Sequence, residues 1–158
     1  MSGTTVLFFE EENVKFVPGV YPAHVVAINK GREFNNSIPF NPKFRIAPEA
    51  ADFELETEEG EKVSGEKFIG YEVRHKGMWL SLDNKKPKSN NLYVIQAKAM
   101  GLEFEQKEVE INGKKRKATV LTELNEDILG NPVLVKVDYV EEKDGGKRAK
   151  VTAVYPAL

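Results

Sequence analysis

Residues 89–101 read SNNLYVIQAKAMG, and the position of this helical stretch among strands decides the fold. Ser89, Asn90 and Asn91 carry side chains that accept from the free N–H groups of a helix start. Leu92, Ile95 and Ala99 then repeat at helical spacing, and Gly101 stands where a left-handed C-terminal cap belongs. The spacing predicts one helix over about 90–101.

Upstream the rhythm is that of strands. Lys67–Leu82 contains FIGYEVRHKGMWLSL, β-branched and aromatic but broken at Gly70 and Gly77, as in a bent strand or a pair of strands. Ala51–Thr57 alternates, with Phe53 and Leu55 on one face and Asp52, Glu54 and Glu56 on the other. Tyr21–Ile28 follows the Pro18-Gly19 turn as a buried strand, and Thr4–Phe9 reads as a first strand. Between them, residues 29–50 mix proline, asparagine and phenylalanine and read as an ordered loop insertion.

Downstream, residues 104–111 and 116–121 flank Asn112-Gly113, a strong hairpin signal, so a two-stranded arm over 103–121 is expected, with KKRK (114–117) at or just past its tip. A helical turn through Leu124–Leu129 ends at Gly130, and strands Val133–Val140 and Ala149–Tyr155 are joined across Asp144-Gly145-Gly146. The fold class that matches this order is mainly β: an OB-like small Greek-key barrel, with one helix between strands three and four and an inserted β-hairpin arm. No linker or repeat divides the chain, so 1–158 is read as one domain.

The 158 residues include no cysteine, which excludes disulfides, thiolate metal sites and a cysteine nucleophile and suits a reducing cytoplasm. His24 and His75 are the only histidines, too few to announce a zinc site, and no cofactor is expected. No apolar run reaches the roughly 20 residues that cross a bilayer, and the start lacks a signal-peptide pattern, so no membrane partner is expected.

Net charge is −2, which taken alone opposes phosphate binding. Charge is nevertheless segregated. Glu49, Asp52, Glu54, Glu56, Glu58, Glu59, Glu61 and Glu66 cluster within 49–66, whereas 30–48, 74–88 and 114–117 are basic. Such blocks can fold into one acidic and one basic face.

The residues that carry chemistry are cations interleaved with rings. Lys30, Arg32, Phe34, Phe40, Lys43, Phe44 and Arg45 form one group, in which Phe34 and one of Phe40 or Phe44 are expected to stack on bases; the alternative is that Phe40 and Phe44 plug the barrel end. Tyr71, Arg74, Lys76 and Trp79 form a second group, on a strand where Tyr71, Val73 and His75 share one side and Glu72, Arg74 and Lys76 the other. Trp79 suits the core as well as a stacking platform. Lys85, Lys86 and Lys88, with Lys114, Lys115, Arg116 and Lys117, suit phosphate contacts or simply solvated turns. The carboxylates of Asp52, Glu54 and Glu56 read as the wet side of an amphipathic strand rather than a nuclease metal site. No nucleophile elbow, phosphate-cradling glycine loop or H-E-x-x-H helix occurs, so no enzyme is expected.

Three segments together carry a likeness: Val17-Pro18-Gly19-Val20-Tyr21-Pro22-Ala23, the helix near 90–101, and Ile128–Val137 with Val154-Tyr155-Pro156-Ala157. They resemble a family of phage-encoded OB-fold single-stranded-DNA-binding proteins from replication and recombination modules. The likeness covers about 17–28 and 89–158, and residues 29–50 and 103–121 depart from it. It implies a fold and a partner class but no residue-level binding map. The resulting expectation is non-catalytic, largely sequence-independent binding and protection of single-stranded DNA in a host cytoplasm, with RNA served by the same groups. The 49–61 acidic block would recruit replication or recombination proteins, and an edge beside the arm could pair with a second copy. The rival expectation is a protein-interaction or virion-associated β domain that binds no nucleic acid.

Overall fold

A computed structural model describes residues 15–32, 37–81, 87–111, 113–121 and 126–157; the strand expected at Thr4–Phe9 lies outside them. In chain order the strands are β1 (Gly19–Ala27), β2 (Ser37–Phe40), β3 (Lys43–Ile46), β4 (Glu54–Glu56), β5 (Lys62–Ser64), β6 (Glu72–Arg74) and β7 (Met78–Ser81). The helix α1 (Pro87–Met100) follows, then β8 (Phe104–Ile111), β9 (Lys114–Leu121), β10 (Pro132–Glu141) and β11 (Lys147–Pro156). Tight 3-10 turns occupy Pro48–Asp52, Gly65–Phe68 and Glu126–Ile128. The chain is thus mainly β. No helix among the described residues is long and apolar enough to cross a membrane.

Five strands form one antiparallel sheet in the order β11-β10-β1-β3-β6. Alternation decides its faces. Tyr21, Ala23 and Val25 of β1, Phe44 and Ile46 of β3, Val73 of β6, Val133, Val135 and Val137 of β10, and Val151 and Val154 of β11 are all buried in one core cluster. The sheet curls enough for its two edge strands to touch. His75, just after β6, forms a single parallel bridge with Val151 of β11, and Lys76 N–H donates to the Val151 carbonyl at 2.9 Å. There is no continuous ladder across that seam, so the sheet stays open.

The helix and an aromatic group cap this core. Val94, Ala97 and Met100 of α1 are buried, and the helix packs against β7 and β11. Gly101, at φ +104°, ends it; a Cβ there would sit 2.5 Å from Asn131 Nδ2, whose amide donates to the Met100 carbonyl at 3.1 Å. Around the start of β1, the Phe16, Tyr21 and Phe68 rings pack with centroids 5.4–5.8 Å apart, one pair stacked and two edge-on. Burial pushes the Tyr21 phenol pKa upward, and its O–H donates to the Val17 carbonyl.

Several expectations are corrected. Residues 29–50 are not a loop insertion: they contain β2 and β3, and β3 lies inside the sheet between β1 and β6. The apolar alternation of Phe44 and Ile46 outweighs the turn signal of Asn41-Pro42, which only marks a corner. The strand expected over 51–57 is confined to β4, because Ala51 and Asp52 close a 3-10 turn. The helix begins at Pro87, a favoured first-turn position for proline, rather than at the asparagines. Leu92 and Ile95, read as part of its apolar rhythm, face solvent.

Candidate nucleic-acid interface

The segments 37–46 and 72–81 form one antiparallel ribbon with a corner. Lys43 pairs with Arg74, and Phe40 with Met78. Between those pairs one strand has Asn41 and Pro42 while the other has His75, Lys76 and Gly77, an unequal count that bends the ribbon as a bulge does. Gly77, at φ +118°, supplies backbone geometry that side-chain-bearing residues rarely adopt.

His75 locks this corner. Its N–H donates to the Pro42 carbonyl at 2.9 Å, its Nδ1 lies 2.9 Å from the Gly77 N–H, and its Nε2 lies 2.8 Å from Gln96 Oε1 on α1. Accepting from Gly77 at Nδ1 and donating to Gln96 from Nε2 requires the neutral Nε2–H tautomer. Burial pushes its pKa down to about 4 against the opposing pull of Gln96.

With Val73, His75, Met78 and Leu80 buried, the intervening residues Glu72, Arg74, Lys76 and Trp79 of the segment 72–81 are exposed. Trp79 is 51% exposed and lies opposite Pro39, itself opposed by Gly31 through the Gly31 N–H to Pro39 carbonyl bond of 2.9 Å. Across the sheet, Lys43 and Arg45 stand outward on β3. Five residue steps separate Arg74 from Trp79, at most roughly 17 Å of extended chain. The outward residues along this bent ribbon are Lys43, Arg45, Arg74 and Lys76 and, past the corner, the exposed indole of Trp79. Lys30, bridged to Phe40, and Arg32 are exposed on the segment that adjoins β2.

Glu72 sits within this basic surface. Its Oε1 lies 2.8 Å from Lys43 Nζ and its Oε2 lies 2.6 Å from Arg45 Nη2. The Lys43 hydrogen bond, with help from Arg45, holds its carboxyl pKa below the usual value against partial desolvation.

Other expected residues do not join this surface. Phe40 is 1% exposed and Phe44 fully buried, both in the core cluster, so neither offers a ring face to a base. Of the two readings of these rings, packing is the one the structure shows. Tyr71 is half-buried and packs against the same cluster. Phe34, Lys85 and Lys86 lie outside the described residues, and Lys88 falls within α1. On the arm, Lys114, Lys115, Arg116 and Lys117 form the first half of β9, where register sets Lys115 opposite Glu110 and Lys117 opposite Glu108. Lys115 Nζ is 3.9 Å from Glu108 Oε1, so this run is interleaved with carboxylates.

No family model matches this chain, and no curated protein matches it. His24, missed at the sequence level, adjoins the interface as the register partner of Arg45, and Tyr155 is a further exposed ring on β11, at the other edge of the sheet. His24 lies between Pro132 and Arg45 in the sheet, and Tyr155, 42% exposed, lies opposite Leu134 on β11. The buried Val151 and Val154 on either side of a register shift conceal Tyr155 from simple alternation. On the acidic hairpin, Glu54 pairs with Lys62 at 3.3 Å, and among the described residues no group of three or more His, Asp and Glu side chains could hold a metal ion.

Proposed function

We propose that this protein is a non-catalytic single-stranded-DNA-binding protein of OB type, of the phage replication and recombination kind that its sequence resembles, acting in the host cytoplasm. The order β11-β10-β1-β3-β6, with α1 between β6 and β10 and a parallel contact between β6 and β11, supports a five-stranded Greek-key reading. On that reading β3 and β6 are strands two and three, whose outer face, with the loops after strands one and four, binds oligonucleotides in OB domains. Lys43, Arg45 and Arg74 lie on that face.

The observation that carries the proposal is the exposed Trp79 on the same ribbon as Lys43, Arg45, Arg74 and Lys76. An exposed ring beside a line of cations is what a sequence-indifferent single-strand site needs, because every base has a π-face and every step a phosphate. Titration with oligo(dT), followed by Trp79 fluorescence, tests it. Quenching is expected, and Trp79→Ala weakens binding by about 1–3 kcal/mol. If Lys43, Arg45, Arg74 and Lys76 each neutralise a phosphate, log affinity falls against log salt with a slope of about −3. Absence of both quenching and binding at low salt overturns the proposal.

A second reading, a protein-interaction or virion-associated domain, is favoured by one feature. Leu92 and Ile95 stand 55% and 65% exposed, one turn apart on α1. Replacing both with serine leaves oligonucleotide affinity unchanged under the first reading.

A further inference from the structure

The carboxylate of Glu72 holds two cations with its two oxygens, Oε1 on Lys43 and Oε2 on Arg45. A phosphodiester presents the same pattern of paired anionic oxygens to a lysine and an arginine. Exposed cross-strand ion pairs contribute little to folding, and here the glutamate side chain is 30% exposed and Arg45 55%. Lys43 and Arg45 are the outward residues of β3, and Lys43 lies directly opposite Arg74 on β6.

We infer that Lys43 and Arg45 form a phosphate-binding notch occupied by Glu72, an internal competitor that a backbone phosphate must displace. This rests on the reading of the ribbon as a nucleic-acid interface and adds how its affinity is set. A strand would bind more weakly, and leave faster, than the count of cations implies. Such weakening suits a protein that covers exposed strand and then yields it. Phosphate binding would swing the Glu72 side chain outward without any backbone change, since it already stands at the surface of an edge strand.

The test is oligo(dT) affinity at two salt concentrations for the full chain, Glu72→Gln, and Glu54→Gln as a control for net charge on the separate β4–β5 hairpin. Glu72→Gln is expected to tighten binding about 5- to 10-fold at low salt with the salt slope staying near −3, because the same cations meet phosphates in both bound states. Glu54→Gln should change affinity less than about twofold, as an exposed and screened charge. In a Lys43→Met/Arg45→Met background the gain from Glu72→Gln should vanish, which separates local release from a change in overall field. Equal or weaker binding by Glu72→Gln, or a gain that persists without Lys43 and Arg45, overturns the competitor role while leaving the binding surface standing. Failure of both the unaltered chain and Glu72→Gln to bind overturns the surface and the competitor together.

Discussion

Phe44→Ala is expected to lower the unfolding free energy by about 3–5 kcal/mol, the cost of emptying a large, fully packed aromatic site. Phe44 has no exposed surface, lies on β3 between β1 and β6, and belongs to the cluster that includes Val25 and Val73, its register partners. A loss of that size is a large share of a domain's total stability of about 5–15 kcal/mol. Urea unfolding followed by circular dichroism reads it as a fall in midpoint at unchanged slope. Phe44→Leu, which keeps most of the volume, should cost less and leave a folded chain whose oligonucleotide affinity equals that of the parent. A midpoint that stays put while affinity collapses would return Phe44 to the stacking role.

The second large effect concerns His75. In the native state its neutral ring accepts from Gly77 and donates to Gln96, and burial holds its pKa at about 4. In the unfolded chain a histidine titrates near the ordinary value of about 6.5. Between those values the unfolded chain binds the extra proton, so stability falls as the pH drops through this window; above about 6.5 neither state is protonated and the effect vanishes. From pH 7 to pH 4 this single group removes about 3 kcal/mol. Comparing urea midpoints of the parent and His75→Gln across pH 4 to 7 isolates it from the carboxylates, which titrate in both. The parent should show the additional decline, and parallel curves would refute it. At pH 7 the His75→Gln chain should itself be weaker by roughly 1–3 kcal/mol, since removing the ring leaves the Gly77 N–H or Gln96 without its partner.

Much of the scaffold was legible because period and punctuation agreed. β10 and β11, rich in β-branched residues, lie on either side of Asp144-Gly145-Gly146, and those strands form where expected. The arm follows from Asn112-Gly113, and its pairing of Ile111 with Lys114 is what a two-residue turn dictates. The alternation of Glu72, Val73, Arg74, His75 and Lys76 marks Arg74 of β6 and Lys76 just after it as outward cations. β3 was not legible. Four residues framed by Pro42 and Ala47-Pro48 look like loop, and only pairing on both sides makes KFRI a strand.

The candidate interface divides in the same way. Local pattern determined which residues share a side of one strand, because a period of two is a property of the backbone and needs no partner. It also marked 90–101 as helical between strand-like neighbours, since those neighbours carry β-branched residues and glycine breaks. Tertiary packing alone decided which side is inside. Phe40 and Phe44 went to the core and Trp79 to solvent, although all three are aromatic residues in short β segments, because burial depends on what the rest of the chain stacks against each face. Long-range register likewise decided that Glu72 meets Lys43 and Arg45: the separation of 27 residues between Arg45 and Glu72 is bridged only by sheet pairing, which no local sequence signal encodes.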